Sequence, residues 1–107
     1  MTVITRVWRG WTAREDAEAY ERFLLEELFP SMRAIRGFRD ADVLRRDDGD
    51  EVAFITLTRF DSLGAIRAFA GDDYELALIE PTARALLSHH DPRAEHFSTT
   101  SFPARSS

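Results

Sequence analysis

Hydrophobic and polar positions change period several times along the chain, and each change marks an element. From Val3 to Trp11, in "VITRVWRGW", β-branched and aromatic residues alternate loosely with polar ones, which predicts a strand. Beyond it Tyr20, Phe23, Leu24, Leu28, Met32 and Ile35 keep an apolar stripe at helical spacing. Glu15, Glu18, Glu21, Arg22 and Glu26 fall on the opposite side, facing water. Thr12 followed by Glu15 has capping-box spacing and predicts where this helix starts. Pro30 is expected to kink or interrupt it, and Gly37 to close it with a left-handed cap.

Past Gly37 the strand signal returns. Phe38 to Arg46 reads as a second strand, "DDGD" as a hairpin signal, and Glu51 to Phe60 as a third strand. Asp61 and Ser62 then cap a short helix with apolar positions Leu63, Ile66 and Phe69, ended by Gly71. "DDYELALIEPTARALLSHH" predicts a further helical segment, broken or restarted at Pro81 and stopped by Asp91-Pro92. Arg93 to Thr100 is the fourth strand. The expected domain is therefore 1–100, with 101–107, "SFPARSS", a polar tail without fixed structure. The order strand, helix, strand, strand, helix, strand is the ferredoxin-like βαββαβ pattern of the α+β class, an antiparallel sheet with helices on one face. Its other face must be covered, and a homodimer burying two open faces together, a dimeric α/β barrel, is the simplest cover.

Composition narrows the functional field. At 107 residues the chain is one domain, 44% hydrophobic and 31% charged, as in an ordinary globular protein. It has no cysteine, which excludes disulfides, thiolate nucleophiles and zinc-thiolate sites. The net charge is −5, and the one basic pair, Arg45-Arg46, runs straight into "DDGDE", so no basic stripe exists for nucleic acid. No window approaches the roughly 20 apolar residues of a membrane span. The first ten residues lack a signal-peptide core, which makes the cytoplasm the expected compartment and a membrane an unexpected partner.

Three stretches taken together, "ITRVWRGWT", "FITLTRFDSLGAIRAFAGDDYELALIEP" and "DPRAEHFST", resemble the antibiotic biosynthesis monooxygenase superfamily of small dimeric α+β barrels. The resemblance rests on Arg6 and Trp8, on Phe60-Asp61-Ser62, on Phe69 to Asp73 with Glu75 and Ala77, on Pro81, and on His96-Phe97. It covers nearly the whole chain except the tail. Members of that superfamily include cofactor-independent oxygenases of quinol-like aromatic polyketides, haem-degrading oxygenases, and many proteins without an assigned activity. The resemblance implies a cofactor-independent monooxygenase acting with dioxygen on a small aromatic or polyketide-like phenol or quinol, or else a non-catalytic dimeric ligand-binding or stress-associated module. The haem-degrading branch is expected to use an Asn on the first strand, a Trp after the third and a His about ten residues later. This chain has no Asn, Phe69 stands near the Trp position, and no His lies around Ile79, so haem degradation does not fit.

His96 is the candidate catalytic residue. A neutral imidazole on the fourth strand, facing the space between sheet and helices, can take a proton from a phenol or hydroquinone. A structural histidine bonded to backbone is the equal alternative. Arg6 and Trp8 share one face of the first strand with Ile4 and are candidates for substrate binding, with Phe69: an aromatic wall and a cation for a phenolate. Against this stands a core tryptophan and an arginine paired with one of nineteen acidic residues. Adjacent His89 and His90 diverge on any regular element, so no metal site is expected, and both read as dipole-complementing residues in the last turn of a helix. Asp72, Asp73 and Glu75 lack calcium-loop spacing and read as turn and capping residues. No cofactor-binding motif is present.

Overall fold

The computed structural model describes residues 2–77 and 79–104. Alternation in the first strand is strong enough to carry it to eleven residues, β1 (Val3–Ala13), which takes the centre of a five-stranded antiparallel sheet. β3 (Glu51–Phe60) pairs along one side of it, with Arg6 opposite Thr58, and β2 (Phe38–Asp48) lies outside β3. The β2–β3 hairpin turns at Gly49, whose φ of +62° is the left-handed conformation that glycine adopts without a Cβ penalty. On its other side β1 meets two short strands end to end: β5 (Glu95–Thr99) along its first half and β4 (Leu87–His90) along its second. They form a single ferredoxin-type fourth strand, interrupted by Asp91-Pro92-Arg93 because proline cannot donate to a ladder.

The helical layer packs on one face. After a 3₁₀ turn (Arg14–Asp16), α1 (Ala17–Phe23) runs into a π-turn (Leu24–Leu28) and then α2 (Phe29–Met32). The expected kink at Pro30 is this π-turn. Proline has no N–H to give and its ring collides with the carbonyl four residues back, and the wider turn accommodates both. In it the Phe29 N–H reaches back five residues to the Leu24 carbonyl. α3 (Leu63–Ala70) begins where expected, with the Ser62 hydroxyl accepting from the Ala65 N–H at 3.1 Å, and ends at Gly71. α4 (Pro81–Leu86) starts at Pro81.

Buried Tyr20, Phe23, Leu24, Val52 and Phe54 form one apolar cluster between sheet and helices, and Met32, Phe60, Ala65 and Ile66 a second. Gly37, at φ +96°, lets the chain pass so close that a Cβ there would stand 2.9 Å from that of Ala65.

Three expectations are corrected. Thr12 is not an N-cap; it lies inside β1, buried, with its hydroxyl unpartnered among the described residues, because strand pairing to Val52 continues past it. Residues 72–77 and 79–80 are not helical. Leu76 bridges to Arg93 and Ala77 donates to the Pro92 carbonyl at 2.9 Å, so this stretch satisfies its backbone against the β4–β5 connection; Leu78 lies outside the described residues. His89 and His90 are strand residues, not a helix end: α4 stops at Leu86, and β4 pairs with β1 through a bulge at Trp11/Thr12. The last strand begins at Glu95, two residues later than expected. Of the expected tail, 101–104 have no regular structure and 105–107 lie outside the described residues. No helix among the described residues is long and apolar enough to cross a membrane.

Candidate active site

Period-two alternation puts Ile4, Arg6 and Trp8 of β1 and Thr56 and Thr58 of β3 on the helix-covered face. Between these residues and the helices lies a cavity of about 60 Å³. Arg6, Trp8, Thr56 and Thr58 make its floor, and Tyr20, Phe23, Leu28, Phe29 and Phe69 are among its walls. Ala77, Ile79 and Glu80, from the stretch between α3 and α4, close it.

Arg6 dominates the site. It is 5% exposed, and among the described residues no carboxylate comes within ion-pair distance of its guanidinium. Its partners are neutral. Nη1 donates to the Tyr74 carbonyl and lies 3.0 Å from His96 Nε2, Nη2 donates to the Leu76 carbonyl at 3.5 Å, and Cζ sits 5.7 Å from the centroid of the Phe69 ring. Burial without a counterion disfavours the charged form and lowers the guanidinium to about 10, still protonated at neutral pH.

His96 stands behind Arg6 rather than in the cavity lining, directly across from it in the β1–β5 register. A guanidinium only donates, so His96 Nε2 accepts, and the ring proton resides on Nδ1. That nitrogen is buried and has no partner among the described residues. Burial first, then the charge of Arg6, hold the imidazole below its ordinary range, with Glu75 opposing in part. His96 is therefore neutral at neutral pH, with its lone pair engaged by Arg6. Tyr74 packs edge-on against it at 5.1 Å.

Trp8 turns its ring to the cavity and donates its indole N–H to the Asp91 carbonyl at 2.9 Å, a carbonyl that the His90 Nδ1 also reaches at 2.9 Å. His90 so supports Trp8, with ring centroids 5.6 Å apart. His89 lies on the opposite, open face, stacked on Trp11 at 4.4 Å and 3.1 Å from Glu51 Oε1. The three histidines thus do not converge, and no group of three His, Asp or Glu side chains among the described residues is placed to hold a metal ion.

Of the four site residues expected from sequence, Arg6, Trp8 and Phe69 meet at one cavity and His96 reaches it through Arg6. The expected pairing of Arg6 with an acidic residue is replaced by two carbonyls and an imidazole. Sequence reasoning missed Thr56 and Thr58, although their alternation with Phe54 and Phe60 marks them as inward-facing. It also missed the Tyr74 and Leu76 carbonyls, which leave no trace in residue type.

No protein-family model and no curated protein matches the chain. Solved structures do. A protein of unknown function from Nitrosomonas europaea is 21% identical, with TM-score 0.68, covering 100% of this chain and 98% of its own. The monooxygenase ActVA-Orf6 of Streptomyces coelicolor, solved in complex with nanaomycin D, is 15% identical with TM-score 0.64, covering 98% and 93%. SnoaB, a cofactor-independent oxygenase from Streptomyces nogalater, is 23% identical with TM-score 0.59, covering 95% of both chains. These likenesses establish a shared fold, that of proteins in the antibiotic biosynthesis monooxygenase group.

Proposed function

We propose that the protein is a cofactor-independent monooxygenase of a small aromatic phenol or quinol, working as a homodimer. The observation that carries this reading is Arg6, a buried cation with no carboxylate partner among the described residues, on the floor of a cavity lined chiefly by aromatic and aliphatic side chains. Such a site suits a flat apolar ring bearing one ionised oxygen. The fold shared with SnoaB and ActVA-Orf6 supports the same chemistry. The open sheet face, where Val7, Ile55, Leu57 and half-exposed Leu44 and Phe97 stand, supports the dimer.

The reaction needs no resident redox group when the substrate is itself the reductant. A phenol gives up its proton, the phenolate passes one electron to dioxygen, and the ring radical and superoxide combine at the para carbon. The peroxide anion takes back a proton and loses water with the ring hydrogen, so phenol and dioxygen give quinone and water. The protein holds the ring on Trp8 and Phe69, the oxyanion at Arg6, and bulk water outside. His96, neutral and next to Arg6, is the base once the guanidinium turns from Nε2 to the substrate.

An oxygen electrode with a panel of phenols that carry hydrogen at the para carbon tests this: one dioxygen is consumed per quinone formed with no hydrogen peroxide released, and His96→Ala lowers the rate by about a hundredfold or more. A non-catalytic dimeric binding module is the second reading, favoured by the engagement of the His96 lone pair by Arg6. Saturable binding of the same phenols without oxygen uptake selects it.

A further inference from the structure

The cavity of about 60 Å³ is far below the roughly 300–1,000 Å³ of ordinary small-molecule sites, so a ring enters only if a wall moves. The wall without regular structure is the stretch between α3 and α4, of which 71–77 and 79–80 are described; Tyr74 and Ile79 pack it against the two apolar clusters. Its described residues form no helix and no strand beyond the Leu76–Arg93 bridge, and their backbone ties run to the β4–β5 connection: Ala77 N–H to the Pro92 carbonyl at 2.9 Å, and Ala94 N–H to the Glu75 carbonyl at 2.7 Å. Its tie to the cavity itself is Arg6, through the Tyr74 and Leu76 carbonyls. The cation facing the ligand space is thus the cation holding the cover.

We propose that Arg6 is a latch: it fastens the 71–80 segment over the cavity through two backbone carbonyls and exchanges them for the ionised oxygen of a phenol, so that the site holds its ligand as an oxyanion once His96 or the solvent has taken the proton. The inference rests on the reading of this cavity as a ligand site and specifies the ligand's charge state. The exchange is favoured because a buried guanidinium attracts a full anionic charge more strongly than the partial charge of a carbonyl oxygen. Without water to screen it, the preference grows. The other titratable groups around Arg6 leave that role open: His96 on β5 is a neutral acceptor, Tyr20 on α1 is pushed upward by burial and stays neutral, and Glu75 and Asp73 are engaged by Arg93. Arg67 on α3 lies over the Tyr74 ring, and Glu80 is exposed at the rim.

The test uses 4-nitrophenol, whose phenolate absorbs visible light and whose neutral form does not, in buffer acidic enough that the free compound is mostly neutral. The wild-type protein is expected to bind it with the phenolate spectrum, and hydrogen exchange in 71–80 to rise as it binds. Arg6→Leu is expected to bind at least about tenfold more weakly and to exchange rapidly in 71–80 before any addition. Thr58→Glu, which places a carboxylate opposite Arg6 in the strand register, is expected to abolish the phenolate signal. Binding with the neutral spectrum, no binding, or exchange in 71–80 that responds to neither ligand nor Arg6→Leu overturns the latch. The wild-type readings decide even if a variant does not fold. Phenolate binding with no oxygen uptake from any phenol of that panel would remove the monooxygenase reading and leave the latch standing.

Discussion

Two arginines in this molecule stand over phenylalanine rings at nearly the same distance, Arg6 at 5.7 Å from Phe69 and Arg45 at 5.5 Å from Phe54, and share little else. Arg45, on the outer strand β2, bonds Glu18 at 2.9 Å and Glu21 at 3.0 Å, and these carboxylates raise its affinity for the proton. Arg6, on the central strand, has carbonyls and an imidazole, and burial lowers it. Acidic residues are not scarce: nineteen are present, and Arg9, Arg14, Arg22, Arg39, Arg59 and Arg93 each find at least one. A cation left without one at the most buried position is where an external anion gains the most.

Three measurements press on this comparison. The largest difference should come from the rings beneath the two cations. Phe54 is 1% exposed and packs edge-on against Tyr20 at 4.9 Å, so Phe54→Ala should cost about 3–5 kcal/mol in urea unfolding. Phe69→Ala, at a partly buried cavity wall, should cost clearly less; equal losses would mean that the cavity is ordinary core. An intermediate effect is expected in acid. Because the folded state holds His96 below its ordinary value of 6.5, the unfolded chain takes up that proton first, and stability falls as pH drops through about 6.5. His96→Gln should flatten that part of the stability profile, and an unchanged profile would show that buried His96 does not govern it. The smallest effect belongs to the outer arginine: Arg45→Met should change stability by less than about 1 kcal/mol, since exposed ion pairs contribute little. A loss as large as that of Phe54→Ala would dissolve the contrast between the two sites.

Much of the architecture was legible because it depends on periodicities that span many residues. β3 runs from Glu51 to Phe60 as its alternation predicts, and the Ser62 cap and Gly71 stop bound α3 as their chemistry requires. What failed was short or non-local. Leu87 to His90 is four residues, too few to display a period, and its strand state is imposed by the free side of β1 rather than by its own residues. Dipole complementarity at a helix end was sound physics applied to a helix that had already stopped. The site divides the same way. Arg6 and Trp8 share a face because alternation puts them there, and the structure brings Phe69 to them. The absence of a counterion and the carbonyls that replace it depend on how 71–80 folds back, which residue types do not encode.

The outer strand β2 has a consequence for life in a crowded solution. Its free rim carries Arg39, Asp40, Asp42, Arg45, Arg46, Asp47 and Asp48, all exposed, and both signs recur along it. Two copies meeting rim to rim would have to align that whole row and strip it of water, so growth into continuous β-ribbons is opposed. The strand that closes the sheet on one side thereby opposes polymerisation through its backbone.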